Sequence, residues 1–269
     1  MSCKEESILK VSKRHFRKIT TFCKPLNDHF KINHFWYYKI TNEGLFSYLG
    51  SHQNWNEIQF GEKLHLVNPY IRHPSTLEQG ISLMPDVEDS NFRHQLSVAK
   101  NKCSVHMYLN LSFKTVHGME GFGFGSTHSS NKIKNMLLNE QALLTLFYKQ
   151  FRKENRVIFD QLDDFQVDLS KEIGPAFFVQ KSSIITRFSE REYFLKQIGI
   201  EDFKPLSKQE KNITKKLVEG FTAKDIALDL LLSKRTVEHY IENIKNKLNC
   251  YSKKEIIQKV LELNLIEKI

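Results

Sequence analysis

The pattern of apolar and polar positions changes character early in the chain. Residues 6–30 carry apolar side chains at helical spacing, which predicts a helix interrupted near Pro25. Residues 33–40 and 45–49 are rich in aromatic and β-branched residues, and a turn-like segment at 41–44 separates them. This part of the sequence therefore predicts a β-hairpin that follows a helix.

A second hairpin is predicted further along. Residues 51–89 have an irregular, proline-containing pattern that predicts loops, short strand pieces or a small helix, and residues 88–100 have a helical pattern. Residues 104–116 alternate apolar and polar positions as a strand does, residues 119–125 alternate glycine with larger residues, and residues 131–153 predict one long helix. The elements together predict an antiparallel sheet flanked by helices, as in an α/β sensory domain.

Two unusual segments of this region have a structural and a functional interpretation. The glycines of Met119–Gly125 would leave a flat strand face that either a packed neighbour or a ligand can approach closely, and the run has no Gly-Lys-Ser/Thr ending of a phosphate loop. Four aspartates between residues 160 and 168 lack the glycine and terminal glutamate of a calcium loop, so we expect a solvated connection. Residues 176–179 are expected to form a last strand.

The last 65 residues have a different pattern, made of short helices. Thr222 and Ser233 are N-cap candidates for two helices joined by a few residues. The second helix has an apolar face made of Val237, Ile241, Ile244 and Leu248, and its opposite face is polar. Capping boxes at 207–210 and 252–255 predict a helix on either side. A close helix pair with an outward polar face is the arrangement that a helix-turn-helix needs to reach base edges in the major groove.

Many positions of this segment also match a known family. From Pro205 to about Ile266 the sequence resembles the DNA-binding domain of LuxR-type transcription regulators. The matching positions are Leu206-Ser207, Glu210, Leu217, Glu219-Gly220, Ile226-Ala227, Ser233, Thr236-Val237, Asn243-Ile244, Lys247-Leu248 and Ser252.

Together with the element pattern, the resemblance predicts an α+β protein with an N-terminal α/β/α sensory domain (1–186) and a C-terminal four-helix helix-turn-helix domain (205–269). Residues 187–204, which are rich in charged residues, are predicted to form the linker. It implies a bacterial, cytoplasmic transcription regulator that binds double-stranded DNA as a homodimer through a recognition helix at about 234–248. The last helix, with Ile256, Ile257 and Val260, could form the dimer contact or close the core. The residues expected at DNA are Lys234, Arg235, Thr236, Glu238, His239, Glu242, Lys245 and Lys253, with Glu238, His239 and Glu242 reading bases.

The N-terminal domain matches the family only in outline. LuxR-type quorum sensors hold an acyl-homoserine lactone in an aromatic pocket that includes an Asp-Pro pair. Here Trp36, Tyr38 and Trp55 are comparable aromatic residues, but Asn68-Pro69 stands where the aspartate would be. A small-molecule effector bound near Trp36, Tyr38, Trp55 and Asn68 is one hypothesis. The alternatives are that these aromatics only fill a core, and that a protein partner controls the domain.

Composition narrows the function classes. The chain has 269 residues and a net charge of +9, and residues 205–269 hold 13 Lys plus Arg against 9 Asp plus Glu, which suits a phosphate-contacting domain. Four dispersed cysteines give neither a zinc motif nor a disulfide framework. Because residues 1–10 are charged and lack an apolar core, we expect no signal peptide, and the sequence has no apolar run of membrane length. We expect no cofactor or metal and no membrane association. An enzyme tethered to DNA is a further alternative, but no catalytic motif supports it.

Overall fold

The computed structural model describes residues 3–84, 89–179, 194, 197, 198 and 206–262. The chain divides into two compact units, Met1–Ile185 and Thr186–Ile269. Of the linker predicted at 187–204, only residues 194, 197 and 198 lie within the described part.

The N-terminal unit is built on a six-stranded antiparallel sheet. Its strands are β1 (His34–Thr41), β2 (Leu45–Gly50), β3 (Gly80–Leu83), β4 (His106–Thr115), β5 (Gly118–Ser126) and β6 (Val167–Asp168). They are ordered β3-β4-β5-β1-β2-β6, with both predicted hairpins, β1–β2 and β4–β5, in the middle of the sheet. Tyr38 pairs with Tyr48 across the first hairpin and with Gly121 on β5.

Helices cover both faces of this sheet. They are α1 (Cys3–Arg14), α2 (Phe16–Phe30), α3 (Gln53–Gly61), α4 (Ser90–Cys103), α5 (Asn131–Asn139), α6 (Gln141–Glu154), α7 (Arg156–Leu162) and α8 (Leu169–Ile173). Side chains of α3 and α4 pack with one apolar core, and side chains of α2, α5, α6 and α7 pack with the other. The α/β/α arrangement predicted from the sequence is therefore confirmed.

The single helix predicted over residues 6–30 is wrong in one respect, because the chain forms two helices that meet at His15. Ile8 and Leu9 of α1 belong to the core that contains α3, whereas Ile19 of α2 belongs to the opposite core. Val11 of α1 also belongs to this opposite core, so α1 contributes to both cores and the interruption comes where the chain passes from one to the other. Pro25 lies inside α2 without ending it.

Two other predictions along the chain need correction. In place of the long helix predicted over residues 131–153 the chain forms two helices, α5 and α6, which meet at Glu140. Glu140 N–H donates to Met136 O (2.9 Å), and Leu144 N–H donates to Glu140 O (3.0 Å). The strand predicted at 176–179 is instead largely a 3₁₀ turn, Gly174–Phe178. The last strand of the sheet lies earlier in the chain than predicted, at β6. Its two residues, Val167 and Asp168, pair with Phe46 and Leu45 of β2.

Strand β5 shows how glycine and phenylalanine alternate between the two faces. Phe122 and Phe124 are buried in the core on the α5–α7 side. A Cβ added at Gly121 would overlap the ring of Tyr38, and one at Gly123 would overlap the ring of Trp36. The absence of side chains at these glycines leaves space for the aromatic rings of β1 to pack against β5. Of the two interpretations of the glycine run, this is the structural one, in which a packed neighbour approaches the strand closely.

The C-terminal unit consists of four helices: α9 (Lys208–Val218), α10 (Ala223–Asp229), α11 (Lys234–Leu248) and α12 (Lys253–Glu262). The capping box predicted at 207–210 begins α9, where Ser207 accepts from the N–H of Glu210. Thr222, predicted as an N-cap, begins α10 and accepts from the N–H of Asp225. At the box predicted at 252–255, Ser252 accepts from the N–H of Glu255 before α12. Fully buried apolar side chains from all four helices form one core. Among the described residues, no helix is long and apolar enough to span a bilayer.

Candidate ligand cavity and nucleic-acid interface

A small cavity lies between the sheet and the helices α3 and α4. All four residues that the sequence nominated for ligand binding, Trp36, Tyr38, Trp55 and Asn68, line it. The enclosed space is about 20 Å³, which is room for roughly one water-sized sphere. The elements that position these residues are β1 for Trp36 and Tyr38, and α3 for Trp55.

The polar groups in the cavity wall are mostly uncharged, and several are already bonded. Asn110 Nδ2 donates to the hydroxyl of Tyr38 at 3.2 Å, and Asn68 Oδ1 accepts from the N–H of Tyr70 at 2.9 Å. Burial raises the pKa of Tyr38 above its usual range, so the hydroxyl stays protonated. Asn68 therefore lies where the resemblance placed it, but its oxygen is engaged in its own turn.

Sequence reasoning missed the two glutamines of this cavity. Gln59 and Gln95 are 5% and 1% exposed, and Gln59 Nε2 and Gln95 Oε1 have no hydrogen-bond partner among the described residues. Gln59 follows Trp55 by four residues on α3, so helical spacing could have placed it on the same face. Gln95, on α4, gives no comparable signal in the sequence.

The second candidate site is the outer face of α11. Ser233 caps this helix, since its Oγ accepts from the N–H of Thr236 at 3.0 Å. The helix begins and ends where the sequence predicts, and Val237, Ile241, Ile244 and Leu248 are all buried. The residues facing away from the core include Arg235, Glu238, His239 and Glu242, which are exposed.

Both predicted glutamates of that face form ion pairs within the helix. Lys234 Nζ lies 3.4 Å from Glu238 Oε1, and Lys245 Nζ lies 3.0 Å from Glu242 Oε2. His239 Nε2 is 3.4 Å from Asn243 Nδ2. Such exposed pairs contribute little to stability, so the lysines can exchange a glutamate for another anion at small cost.

The family comparison concerns this unit. Residues 204–260 match the model for bacterial regulatory proteins, luxR family. The C-terminal unit is a LuxR-family helix-turn-helix domain. Oxygen regulatory protein NreC from two strains of Staphylococcus epidermidis is 40% identical to this chain over 67 residues. That match covers 25% of this chain and 31% of the length of NreC.

Solved structures resemble the whole chain more weakly. Escherichia coli SdiA aligns with 99% of this chain and 93% of its own, at 13% identity and a TM-score of 0.37. SdiA in complex with octanoyl-rac-glycerol aligns with 98% of this chain and 95% of its own, at 13% identity and a TM-score of 0.36. The phage VqmA–DPO complex covers 95% of this chain and 92% of its own, at 15% identity and a TM-score of 0.23. Likenesses of this size carry no inference about function.

A largely buried ion pair connects α11 to the first helix of the LuxR-family domain. Lys247 Nζ of α11 lies 2.7 Å from Glu210 Oε2, a carboxylate that is nearly inaccessible and also accepts from Ser207 N–H. Burial alone would raise the pKa of Glu210, but the bonds from Lys247 and Ser207 outweigh it and hold the pKa below its ordinary value. The pair fixes α11 against the first helix of the domain.

Of the three residues in the last helix that could join a dimer or the core, two are core residues. Ile256 and Val260 are 0% exposed, and Ile257 is only partly buried against the same cluster. The remaining predicted DNA residues, Thr236 and Lys253, lie at the first turns of α11 and α12. No group of three or more potential metal ligands occurs within the described part of the chain.

Proposed function

We propose that the protein is a sequence-specific DNA-binding transcription regulator that inserts α11 into the major groove. The observation that carries the proposal is the capped helix α11, buried on one side and polar on the other, within a LuxR-family domain. In the complex, Glu238, His239 and Glu242 read base edges. Lys234, Arg235, Lys245 and Lys253 meet phosphates, and Thr236 lies beside them at the helix start. The protein acts in the cytoplasm as a homodimer on two half-sites.

The intrahelical ion pairs support a division of labour at this interface. When Lys234 and Lys245 turn to phosphates, the carboxylates of Glu238 and Glu242 become available to accept from cytosine amino groups. A glutamate that fails to find such a donor remains next to the DNA backbone and weakens binding. The glutamates thereby contribute sequence specificity, and the lysines contribute affinity.

This proposal is tested by selecting binding sites from random duplexes with the full-length chain and measuring affinity against salt. Glu242→Ala relaxes the preference at one base position with little change in salt slope. Lys245→Ala weakens binding to all sequences alike and flattens the slope by about 1. Lys149→Ala, an exposed lysine of the N-terminal unit, is the charge-matched control and leaves both unchanged. Failure to enrich any sequence would overturn the proposal.

The N-terminal unit is the control element in this proposal, and a small molecule in the cavity beside Trp36, Tyr38, Trp55 and Asn68 is the signal. The support is that these four residues, which are far apart in the sequence, line one small cavity. Native mass spectrometry of the full-length protein, before and after exposure to cell extract, reports subunit number and any retained molecule together. A dimer with a reproducible added mass is the expected result, and an unaltered monomer contradicts it.

Control by a protein partner is the second candidate, because the same unit also has an exposed apolar surface. Leu143 and Leu146 of α6 are 49% and 59% exposed and lie beside Phe22, with Arg17 and Lys18 at the rim. The chemistry suits an acidic amphipathic helix. Leu146→Glu would then abolish regulation while leaving DNA affinity intact, whereas small-molecule control leaves regulation unaffected by this substitution.

A further inference from the structure

A polar pocket of about 520 Å³ opens at the end of the sheet where β4 begins, between α4 and α5. Its walls are α4, the first residues of β4, and the first residues of α5 with the loop before them. Among the described residues, Met107 alone lines both this α4–α5 pocket and the cavity beside Trp36. The two spaces are therefore separate, and the volume of the pocket suits a small molecule.

Positive charge collects in this pocket without negative charge beside it. Arg93 and Lys100 of α4 and Lys134 of α5 line it, and no aspartate or glutamate of the described residues does. Residues 90–139, which include α4, β4, β5 and α5, hold six Lys plus Arg and a single acidic residue, Glu120. That glutamate already pairs with an arginine of α6. The pocket therefore has a positive potential that attracts anions.

Two of these cations have no partner of their own. Lys100 and Lys134 form no ion pair with any residue that the structure describes. Lys102, also on α4 but outside the pocket, pairs instead with Glu62. Burial, and secondarily the charge of Lys100, lowers the pKa of His106, which also lines the pocket. The charge of this lysine thus acts on other groups of the pocket, and a bound anion would neutralise it.

Hydroxyl groups lie beside the cations. Ser97 Oγ accepts from Asn101 Nδ2 at 3.2 Å, which leaves the hydroxyl hydrogen of Ser97 available to donate. Ser129 also lines the pocket, and its hydroxyl has no bonded partner within the described ranges. The oxygens of a phosphate accept hydrogen bonds from donors of this kind as well as from lysine and arginine.

Apolar residues complete the lining of the pocket. They are Leu96, Val105, Met107 and Tyr108. The hydroxyl of Tyr108 is already engaged, because it donates to His128 O at 2.6 Å and accepts from Ser130 N–H at 3.1 Å. This part of the lining therefore offers apolar contact and suits the organic body of a ligand.

We propose that the α4–α5 pocket binds a small phosphomonoester, whose phosphate lies between Arg93, Lys100 and Lys134 and whose organic part packs on the apolar lining. A phosphomonoester is the matching anion because it carries a charge of about −1.5 to −2 at neutral pH and several acceptor oxygens, which suit the cations and the serine hydroxyls. The inference goes beyond the proposed function, since neither DNA nor the cavity beside Trp36 takes part in it.

Phenyl phosphate is the probe, with benzoate and phenol as its singly charged and uncharged counterparts. Isothermal titration calorimetry of the full-length chain in a phosphate-free buffer should show one saturable site for phenyl phosphate, binding of benzoate weaker by at least about tenfold, and no binding of phenol. Raising the salt concentration should weaken the binding of phenyl phosphate, because salt screens partly exposed charges. Absence of phenyl phosphate binding, binding that does not depend on salt, or equal binding of benzoate or phenol would overturn the inference.

Two variants locate the site. Lys100→Gln and Lys134→Gln each remove one positive charge from the pocket, and each should weaken phenyl phosphate binding by about tenfold. Lys132→Gln removes an exposed lysine of α5 that does not line the pocket, and it should change the affinity by less than about twofold. Unchanged affinity in both pocket variants contradicts the inference, and so does equal weakening by Lys132→Gln, which would mean that overall charge attracts the anion. If one pocket variant fails to fold, the other decides.

A further variant separates this site from the lysines proposed to face DNA. Lys245→Gln, in the LuxR-family domain, should retain phenyl phosphate binding. Loss of binding in Lys245→Gln together with its retention in both pocket variants would assign the phosphate to the LuxR-family domain and overturn the inference. Failure of sequence-specific DNA binding overturns the proposed function alone, because the calorimetric measurement contains no DNA.

Discussion

The two units treat their polar side chains in opposite ways. The N-terminal unit encloses polar groups that have no partner among the described residues, including both ring nitrogens of His34 and amide atoms of Gln59 and Gln95. In the described part of the LuxR-family domain the two buried polar side chains are both bonded: Glu210 to Lys247 and Ser207, and Thr214 to the carbonyl oxygen of Glu210. Unpaired buried polar groups destabilise a fold, so the N-terminal unit carries a destabilising contribution that the described part of the LuxR-family domain lacks.

This contrast predicts that acid will separate the two units. His34 is fully buried beside Trp36 and the ring of His52, at ring-centre distances of 5.1 and 5.8 Å. Burial, and secondarily His52, lowers the pKa of His34 to about 3. Because the unfolded chain takes up this proton near its ordinary pKa, between about pH 6.5 and 3 the unfolded state binds more protons than the folded one. Unfolding free energy of the N-terminal unit should fall by up to about 1.4 kcal/mol per pH unit on acidification through that window.

Glu210 gives the LuxR-family domain a different acid limit. Its folded pKa lies below its ordinary value, so the stability it supplies is present above the ordinary pKa of a glutamate and is lost only as the pH falls through the folded value. Tryptophan fluorescence comes only from the first unit, since Trp36 and Trp55 both lie there, and should report its unfolding at the higher pH, while part of the helical circular dichroism persists until the second unit unfolds at a lower pH. His34→Phe should remove the early slope and His117→Phe, at an exposed site, should retain it. Coincident transitions in the parent protein would refute the contrast.

The next largest expected effect comes from a substitution at Gly123, against which the ring of the cavity residue Trp36 packs. Gly123→Ala places a Cβ against the ring of Trp36 and 2.6 Å from the carbonyl oxygen of Leu109, which belongs to the sheet and cannot yield. We expect a loss of about 1–3 kcal/mol in unfolding free energy and altered tryptophan fluorescence, measured by urea denaturation. Gly61→Ala, where nothing lies within 4 Å of the added Cβ, is the control and should be neutral or slightly stabilising. Equal stability of the two variants would mean that the ring of Trp36 can move.

The ion pair between Lys247 and Glu210 in the LuxR-family domain can be broken by removing the lysine alone. Lys247→Ala leaves the 4%-exposed carboxylate of Glu210 with its cap contacts but no cation, and we expect a loss of about 1–2 kcal/mol. Lys245→Ala breaks an ion pair whose glutamate is 60% exposed, so it should cost less than about 0.5 kcal/mol. Thermal unfolding followed by circular dichroism measures both. A larger loss for Lys245→Ala would reverse the assignment of structural and DNA-facing lysines.

The LuxR-family domain was the more predictable of the two units, because the interactions that define its helices are local in sequence. Helices α9 and α10 of the LuxR-family domain begin at capping boxes whose two members are three residues apart in the sequence, Ser207 with Glu210 and Thr222 with Asp225. Local sequence is therefore enough to locate where these helices begin. The buried face of α11 follows from a spacing of three and four. What the sequence did not predict is the pairing of Lys247 with Glu210, which are 37 residues apart.

In the N-terminal unit the strands were predictable and their neighbours were not. Alternation located β4 and β5, but only the sheet order places Gly123 under Trp36, 87 positions earlier in the chain. The apolar spacing continues through His15 and gives no sign of the break there, because which core each apolar residue joins depends on the fold: Ile8 joins one core, and Val11 and Ile19 join the other. Trp36, Tyr38, Trp55 and Asn68 were nominated, whereas Gln95 becomes a candidate only once α4 is known to cover the cavity.

The smallest predicted effect concerns the turn of the helix-turn-helix. Leu231 lies between α10 and α11 with φ of 53° and a side chain that is 93% exposed. A branched residue in this left-handed region is strained, and its exposure means that no packing offsets the strain. Leu231→Gly should therefore stabilise the domain by about 0.5–1 kcal/mol, since relief of strain exceeds the added entropy of the unfolded glycine.

The matched control for this substitution is Leu228→Gly, which changes another exposed leucine, 70% accessible, but inside the helix α10. There glycine should destabilise by about 1 kcal/mol, because the backbone is helical and unstrained. Opposite signs for two exposed leucines three residues apart would show that backbone conformation, not apolar exposure, decides the effect. If Leu231→Gly is also destabilising, the side chain of Leu231 makes a contact that its exposure does not reveal, and strain at this turn is not what limits the stability of the LuxR-family domain.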